Sequence, residues 1–517
     1  MKITLLTFLI FLSTTICSQI TFQKAYGTAG VEEGRYTDNA IGGGYFVAGE
    51  ISYFDSTSYD AFIMKVNSVG DTLWTKIIGS NNQYEIPSSI KATSDGGVIC
   101  LIEQSVSWPT YGFLVKLDSL GNITWTKRIG PVEITYDIIE TSDSGFAFTY
   151  LMLSKFGIIK TDALGNIQWV SSDSINSYSI ENGIELIQTA DSGFAMSTTF
   201  NNTFDVCLIK TNVIGNIQWA KQYSTPDQDN CYGLRQTSDL GYILFGAKTN
   251  APYSKPFLIK TNSIGDTLWT KDYFSISNGN EYILRGDIFQ NSDMGYIFSS
   301  IEDGFVNKII LSKTDSTGNI MWTKMFTGNQ DDWPDDILIT PDNGILISGC
   351  TKSYGNTSGL PNIYLIKTDS SGASGCNEVN FGINNEYLNL TASSLQVYGV
   401  VPTILGTPPP YSYNVERGFP TSTICSSVSV QESQLEFQHF KLYPNPFVSS
   451  TTLEIISSTD LKNTKLEILD LLGRKIESVN IKDSKTEINR DNLSSGIYII
   501  QLISDNQIIG SGKLIVE

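Results

Sequence analysis

Seven copies of one phrase constrain this chain more than any other feature of it. Aligned on lysine, "KTNVIGNIQW" and its variants begin at Lys65, Lys116, Lys160, Lys210, Lys260, Lys313 and Lys367. Five residues on stands Gly70, Gly121, Gly165, Gly215, Gly265, Gly318 or Gly372. Nine residues on stands Trp74, Trp125, Trp169, Trp219, Trp269 or Trp322, and in the seventh copy Cys376. A second phrase alternates with the first: "TSDGGVIC", "TSDSGFAF", "TADSGFAM", "TSDLGYIL", "NSDMGYIF", "TPDNGILI", with a looser opening version, "TDNAIGGGYFVAG".

Each phrase is a pair of short apolar, β-branched runs around an Asp/Asn/Gly/Ser turn, the pattern of a β-hairpin. Two hairpins in a period near fifty residues make four strands, the unit of a propeller blade. The strands read as continuous apolar runs ("FLIK", "YILFG", "GVICLI"). Such runs fit sheets covered on both faces by neighbours. A solenoid coil would be shorter, and stacked immunoglobulin-like sandwiches would need about 100 residues each. The tryptophan strand is missing after the seventh copy, yet "QITFQKAYG" at the start aligns with "DTLWTKIIG", with Phe22 in the tryptophan position. The expectation is an all-β, seven-bladed β-propeller over 19–375, in which residues 19–27 lend blade 7 its last strand.

The repeated residues have structural work to do. Tryptophan is expected to pack between blades. The glycine and the "SD" aspartate suit turn geometry. The lysine column is expected to pair with the Asp or Asn two residues on. The phrase also resembles the tryptophan-docking blades of quinone-dependent dehydrogenases. Those have eight blades and an adjacent-cysteine pair, neither visible here, so no cofactor is expected.

The chain opens "MKITLLTFLIFLSTTICSQ", one lysine and an apolar run too short to span a bilayer, which reads as a signal peptide over 1–18 cut after Ser18. Ile16 is bulkier than a lipidation motif takes before Cys17. No later run approaches a transmembrane length, so the mature chain is expected to be exported, without a membrane span, and monomeric. With 53 acidic against 34 basic residues the net charge is −19, a surface that repels nucleic acid and anionic lipid. Cys376 and Cys425 bracket a Pro- and Ser-rich stretch and form the disulfide candidate; Cys100 reads as a buried free thiol. No cysteine spacing resembles a zinc site, and no metal is expected.

From Cys376 the period stops. Residues 376–437 ("GTPPPYSYN", "STICSSVSVQES") read as a connector with a strand or two, loosening into a linker. Residues 438–517 then carry "YPNP" (Tyr443, Pro444, Asn445, Pro446), "LEILDLLGRKI", "SGIYIIQL" (with Gly496 and Tyr498) and "GSGKLIVE" (with Gly512 and Lys513). With every block in order, this resembles the C-terminal sorting domain (type A) of the Bacteroidota type IX secretion system. The resemblance implies a small Ig-like β-sandwich, partnership with the secretion machinery at the outer membrane, passage through the periplasm, and a secreted or cell-surface address.

The sequence has one histidine, His439, at the linker–tail junction, so the propeller holds no Ser–His–Asp or Cys–His arrangement. Two convergent carboxylates would suffice for glycosidase chemistry, but none stands in a recognisable motif, and no catalytic residue is named. The densest acidic stretch, "NQDDWPDD" (Asp331, Asp332, Asp335, Asp336), lacks the alternate-ligand spacing of a calcium loop and reads as solvated. In a four-stranded meander the A–B and C–D turns share one face, and here they are short and uniform. The B–C and D–A connections share the other face and vary, carrying Tyr53, Tyr59, Trp108, Tyr111, Tyr253, Trp333 and Tyr354. Variable loops on a repeat scaffold are where function concentrates. The leading reading is therefore a binder of a glycan or protein through that face. A structural or adhesive envelope protein comes second and a carbohydrate-active enzyme third.

Overall fold

The computed structural model describes residues 19–516 apart from 53–58, 81–82, 106–109, 153–154, 175–179, 201–203, 251–252, 276–279, 283–285, 304, 356–358, 395–397, 400–418, 420, 427–439, 456–463, 470–474, 482, 491–492, 495 and 505–506. No helix occurs among them. They form two compact units, Met1–Ser427 and Val428–Glu517.

The first unit is a seven-bladed propeller. Blades of four antiparallel strands cover 31–78, 84–132, 134–170, 180–224, 228–275, 288–326 and 332–368. The seventh is completed by Phe22–Tyr26. Within each blade we letter the strands A to D from the axis outwards. Strands B and C are apolar on both faces; all eight residues of Tyr45–Ser52 are buried. The cause is visible in the packing, because seven hydrophobic clusters fill the seven seams between blades, the last joining blade 7 to blade 1 through Leu346, Leu365, Val47 and Phe62. Blades 5 and 6 are also linked by Asn280–Tyr282, which pairs with a strand of each.

Ring closure follows the register expected from the repeat. In blade 4, Lys210 of strand C lies opposite Trp219 of strand D; in blade 7, Lys367 lies opposite Phe22. The glycine column explains why an aromatic must stand there. Gly265 has φ +79°, and a Cβ on it would meet the Trp219 ring of the preceding blade at 2.8 Å. The same construction at Gly70 meets the Phe22 ring at 2.8 Å. Tyr26, Tyr223 and Tyr273, four residues beyond the aromatic, donate their hydroxyls to the carbonyls of Gly70, Gly265 and Gly318.

The lysine column needs a correction. Six of its members pair with the "SD" aspartate of their own blade's A–B turn, not with the residue two places on. Lys116–Asp95, Lys160–Asp143, Lys210–Asp191 and Lys260–Asp239 each stand at 2.9 Å, Lys367–Asp342 at 3.1 Å, and Lys313–Asp293 makes the same pair. Strands B and C are neighbours, so the A–B turn lies over the end of strand C. The residue two places on instead organises its own C–D turn, as Asp118 does by accepting from the N–H groups of Leu120 and Asn122. Blade 1 has no "SD" turn, and Lys65 donates to Ser119 O in blade 2.

Residues 376–426 hold more order than a loosening connector. Five single strands, Glu378–Asn380, Ile383–Glu386, Thr391–Ser394, Tyr398–Gly399 and Thr421–Ser426, add a fifth, outermost strand to blades 6, 5, 4, 3 and 7. None pairs with a sequence neighbour, so no hairpin pattern announces them. Cys376 and Cys425 are joined by a disulfide, and Cys100, Cys207, Cys231 and Cys350 are free and buried.

The second unit is a β-sandwich. One sheet contains Phe440–Tyr443, Ser450–Ile455 and Lys485–Asn489; the other contains Lys475–Asn480, Thr464–Leu469, Gly496–Ser504 and Gln507–Val516. Leu453, Leu466, Ile468, Ile488, Ile500, Leu502 and Leu514 fill the space between them.

Candidate functional site

The A strands line a cavity of about 1050 Å³ along the propeller axis. Each A strand enters from the D–A connections and leaves at the A–B turn, so the cavity wall spans both faces. Four residues before the turn threonine or asparagine stand Asp137, Glu185, Asp287 and Asp336, at one level of the wall in blades 3, 4, 6 and 7. Tyr36, Tyr136, Tyr232 and Phe289 line the same cavity.

The carboxylates are held by neighbouring blades. Asp137 accepts from Ser89 Oγ at 2.8 Å and from Leu186 N at 2.9 Å, one blade away on either side. Asp336 accepts from Thr37 N across the closing seam at 2.8 Å. Asp287 takes the Arg235 guanidinium, which lies 4.3 Å over the Phe289 ring, while Glu185 stands 4.0 Å from Arg235 Nη1. One arginine thus serves several acids. Burial raises Asp137, and burial with the Arg235 charge opposing leaves Asp287 at about 6. Burial and the neighbouring carboxylates push Glu185 and Asp336 well above the ordinary range. Glu103, farther out on strand B of blade 2, is pushed by burial to about 7. Buried like charges disfavour the ionised form, so these carboxyls take up protons more readily than surface carboxylates do.

Towards the A–B turns the wall changes role. Glu140, Gln188, Gln236 and Gln290 accept from the backbone N–H of Ser94, Ser142, Ala190 and Ser238 in the preceding blade, at 2.8–2.9 Å. These contacts fix one blade to the next.

The aromatics expected on the B–C and D–A face stand apart from this cavity. Tyr59 stacks on Tyr84 at 6.1 Å, and Tyr111 lies under the Arg128 guanidinium at 3.4 Å. Trp333 has Lys352 Nζ 4.9 Å above it, and Tyr354 donates to Thr327 O at 2.8 Å. Tyr53 and Trp108 lie outside the described residues; Tyr253 pairs with Asn250, its side chain outside them. Each described ring has a local partner. The "NQDDWPDD" acids are dispersed: Asp331 faces Lys352, Asp332 accepts from Thr351 and Ser353, and Asp335 and Asp336 line the axis. No group of three metal-ligating side chains occurs among the described residues. Of the axial acids the sequence reading singles out only Asp335 and Asp336, and as a solvated stretch, whereas Asp336 stands in the wall with Asp137, Glu185 and Asp287 and is pushed up by burial. Their signal was present in "DIIET", "ELIQT", "DIFQN" and "DILIT", which place an acid at one fixed distance before the turn.

In the second unit the separate blocks of the tail meet. Asn445 Oδ1 accepts from Ile515 N at 2.8 Å, and Phe447 N donates to Ile515 O at 3.0 Å, joining "YPNP" to "KLIVE". Tyr443 donates to Glu454, and Tyr498 to Ser494 O. Gly512 and Lys513 lie opposite Ile500 and Ile499. The family model for the secretion system C-terminal sorting domain matches residues 441–517. The tail is a type IX sorting domain. The sorting domain indicates export to the cell surface or beyond it. No helix among the described residues is long and apolar enough to cross a membrane.

No curated protein matches the chain. Among solved structures, streptogramin B lyase is 12% identical over 68% of this chain and 98% of its own, with a TM-score of 0.41. PorZ of the type IX secretion system of Porphyromonas gingivalis is 9% identical over 92% and 69%, with a TM-score of 0.32. A point mutant of NanB sialidase from Streptococcus pneumoniae is 10% identical over 68% and 71%, with a TM-score of 0.40. At these values the propeller assignment rests on the strand pairing above.

Proposed function

We propose that the propeller is an exported binding module for a glycan or protein, carried to the surface by its sorting domain. The axial cavity carries this reading. At about 1050 Å³ it is large enough for an oligosaccharide or a peptide segment. Tyr36, Tyr136 and Tyr232 supply faces for C–H groups to stack on, while Arg235 and the acids supply hydrogen bonds for hydroxyls or amides. The B–C and D–A face, with Tyr59, Tyr111, Trp333 and Tyr354 and with Tyr53, Trp108 and Tyr253, forms the outer part of the proposed surface. The test is a glycan and peptide array probed with the exported full-length chain. Binding should fall about tenfold or more in Tyr136→Ala and Tyr232→Ala, measured below the melting temperature of each variant because both rings also pack against the interblade cores. Loss in Trp108→Ala and Trp333→Ala instead would move the site to the outer loops. Retention in all four would refute the reading.

The carboxylates favour one second reading, a carbohydrate-active enzyme. Glycoside hydrolysis needs one acid that keeps its proton and one that is ionised, roles that Glu185, held well above the ordinary range, and Asp287, at about 6 beside Arg235, would fill. Reducing-end release from a polysaccharide panel, abolished by Glu185→Gln or Asp287→Asn, would establish it; no release from any substrate excludes it.

A further inference from the structure

Six blades of the ring are continuous chain, with a C–D turn binding strand D to strand C. Blade 7 is the exception. Its strand D, Phe22–Tyr26, meets strand C, Asn362–Thr368, through hydrogen bonds between distant parts of the chain. Opening the ring there breaks no turn, so this seam is the easiest to part. The segment that follows blade 7 runs backwards round the ring. It pairs in turn with blade 6, blade 5, blade 4 and blade 3. Phe419 then packs edge-on against Phe62 of blade 1 at 5.1 Å, and Thr421–Ser426 covers the outer edge of Phe22–Tyr26.

Each visit is slight. The strands have two to six residues, and Thr391–Ser394 is exposed at every position. A few apolar side chains enter the seams: Phe381 and Ile383 between blades 5 and 6, and Leu388 and Leu390, seven residues later, between blades 4 and 5. Strands this short do not hold an edge unaided against the entropy of a free chain. The two ends of the segment, however, are joined by the Cys376–Cys425 disulfide, 49 residues apart in sequence. The junction lies over the weak seam. Gln23 of the closing strand donates to Ser374 Oγ at 2.8 Å and accepts from Tyr364 of strand C at 2.7 Å.

We infer that the five outer strands between Glu378 and Ser426 act as a belt that keeps the ring shut, with Cys376–Cys425 as its buckle. Pinned at both ends, the belt cannot peel from a free terminus, and its last strand sandwiches the closing strand against blade 7. Hydrogen exchange read by mass spectrometry on the full-length chain tests this. In Cys376→Ser/Cys425→Ser, exchange at Phe22–Tyr26, which contains no cysteine, should quicken about tenfold or more, as should exchange at 378–399. The inner strands of blades 2 to 5 should keep their rates. Dithiothreitol added to the folded natural chain reads the same effect without refolding, as the disulfide becomes two thiols and the reagent its own cyclic disulfide. Unchanged exchange at Phe22–Tyr26 under both treatments overturns the inference. So does acceleration spread equally over all seven blades.

Discussion

At the scale of single residues, the repeat keeps what each blade needs from the next. Gly265 shows the demand most directly, with a positive φ and the Trp219 ring 2.8 Å from where a Cβ would stand. Gly96 has a similar φ of +83° but nothing within 4 Å. Alanine at Gly96 should therefore cost about 1 kcal/mol for the backbone alone. Alanine at Gly265 should cost about 2–4 kcal/mol, because the ring must also move. Urea denaturation of the two variants measures the difference, and equal costs would show that the ring contact is unimportant. Glycine, tryptophan and the turn aspartate were legible because they recur in fixed register. The partner of the lysine was not. Sequence spacing favoured Asp118 for Lys116, whereas the fold brings Asp95 to it from two strands earlier. The axial acids were written in equally regular register, but their meaning depends on strand A being innermost, which spacing alone does not say.

Among the elements, the closing strand was legible and the belt was not. "QITFQKAYG" matches the repeat because it does the work of a strand D, and Phe22, Ala25 and Tyr26 are almost wholly buried. Belt strands pair only with edges far away in sequence and bury few side chains, so neither alternation nor a turn marks them. Deleting residues 19–27 removes Phe22 and Tyr26 and uncovers an edge on both Asn362–Thr368 and Thr421–Ser426. We expect a loss of about 5 kcal/mol and an increase in aggregation. Removing 427–436 should change the melting temperature little. If the two truncations melt alike, the closing strand contributes no more than a tail.

For the whole molecule, two groups of carboxylates set opposite responses to pH. Burial pushes Glu103 and Asp229 up to about 7, and Asp287 and Asp332 up to about 6. In the unfolded chain such groups titrate near ~4. Between those values the fold binds protons that the unfolded chain does not, so stability is lost as pH rises from about 4 to 7. The turn aspartates are held low, Asp239 at about 2, where hydrogen bonds from Thr237 and Lys260 overcome burial. Their contribution is lost as pH falls below about 4. The melting temperature should therefore peak on the acid side, at about pH 4–5, and decline towards pH 8; a maximum above pH 7 would contradict the assignment. Export has its own test, since a chain lacking 438–517 should be retained in the periplasm, as cell fractionation would show. Finally, the closing strand sits near the start of the chain, while its two neighbours in the sheet lie at 362–368 and 421–426. The earliest part of the propeller to be synthesised is thus the last to find its place. A product cut short anywhere before residue 362 has no ring to complete, and the geometry itself separates finished molecules from fragments.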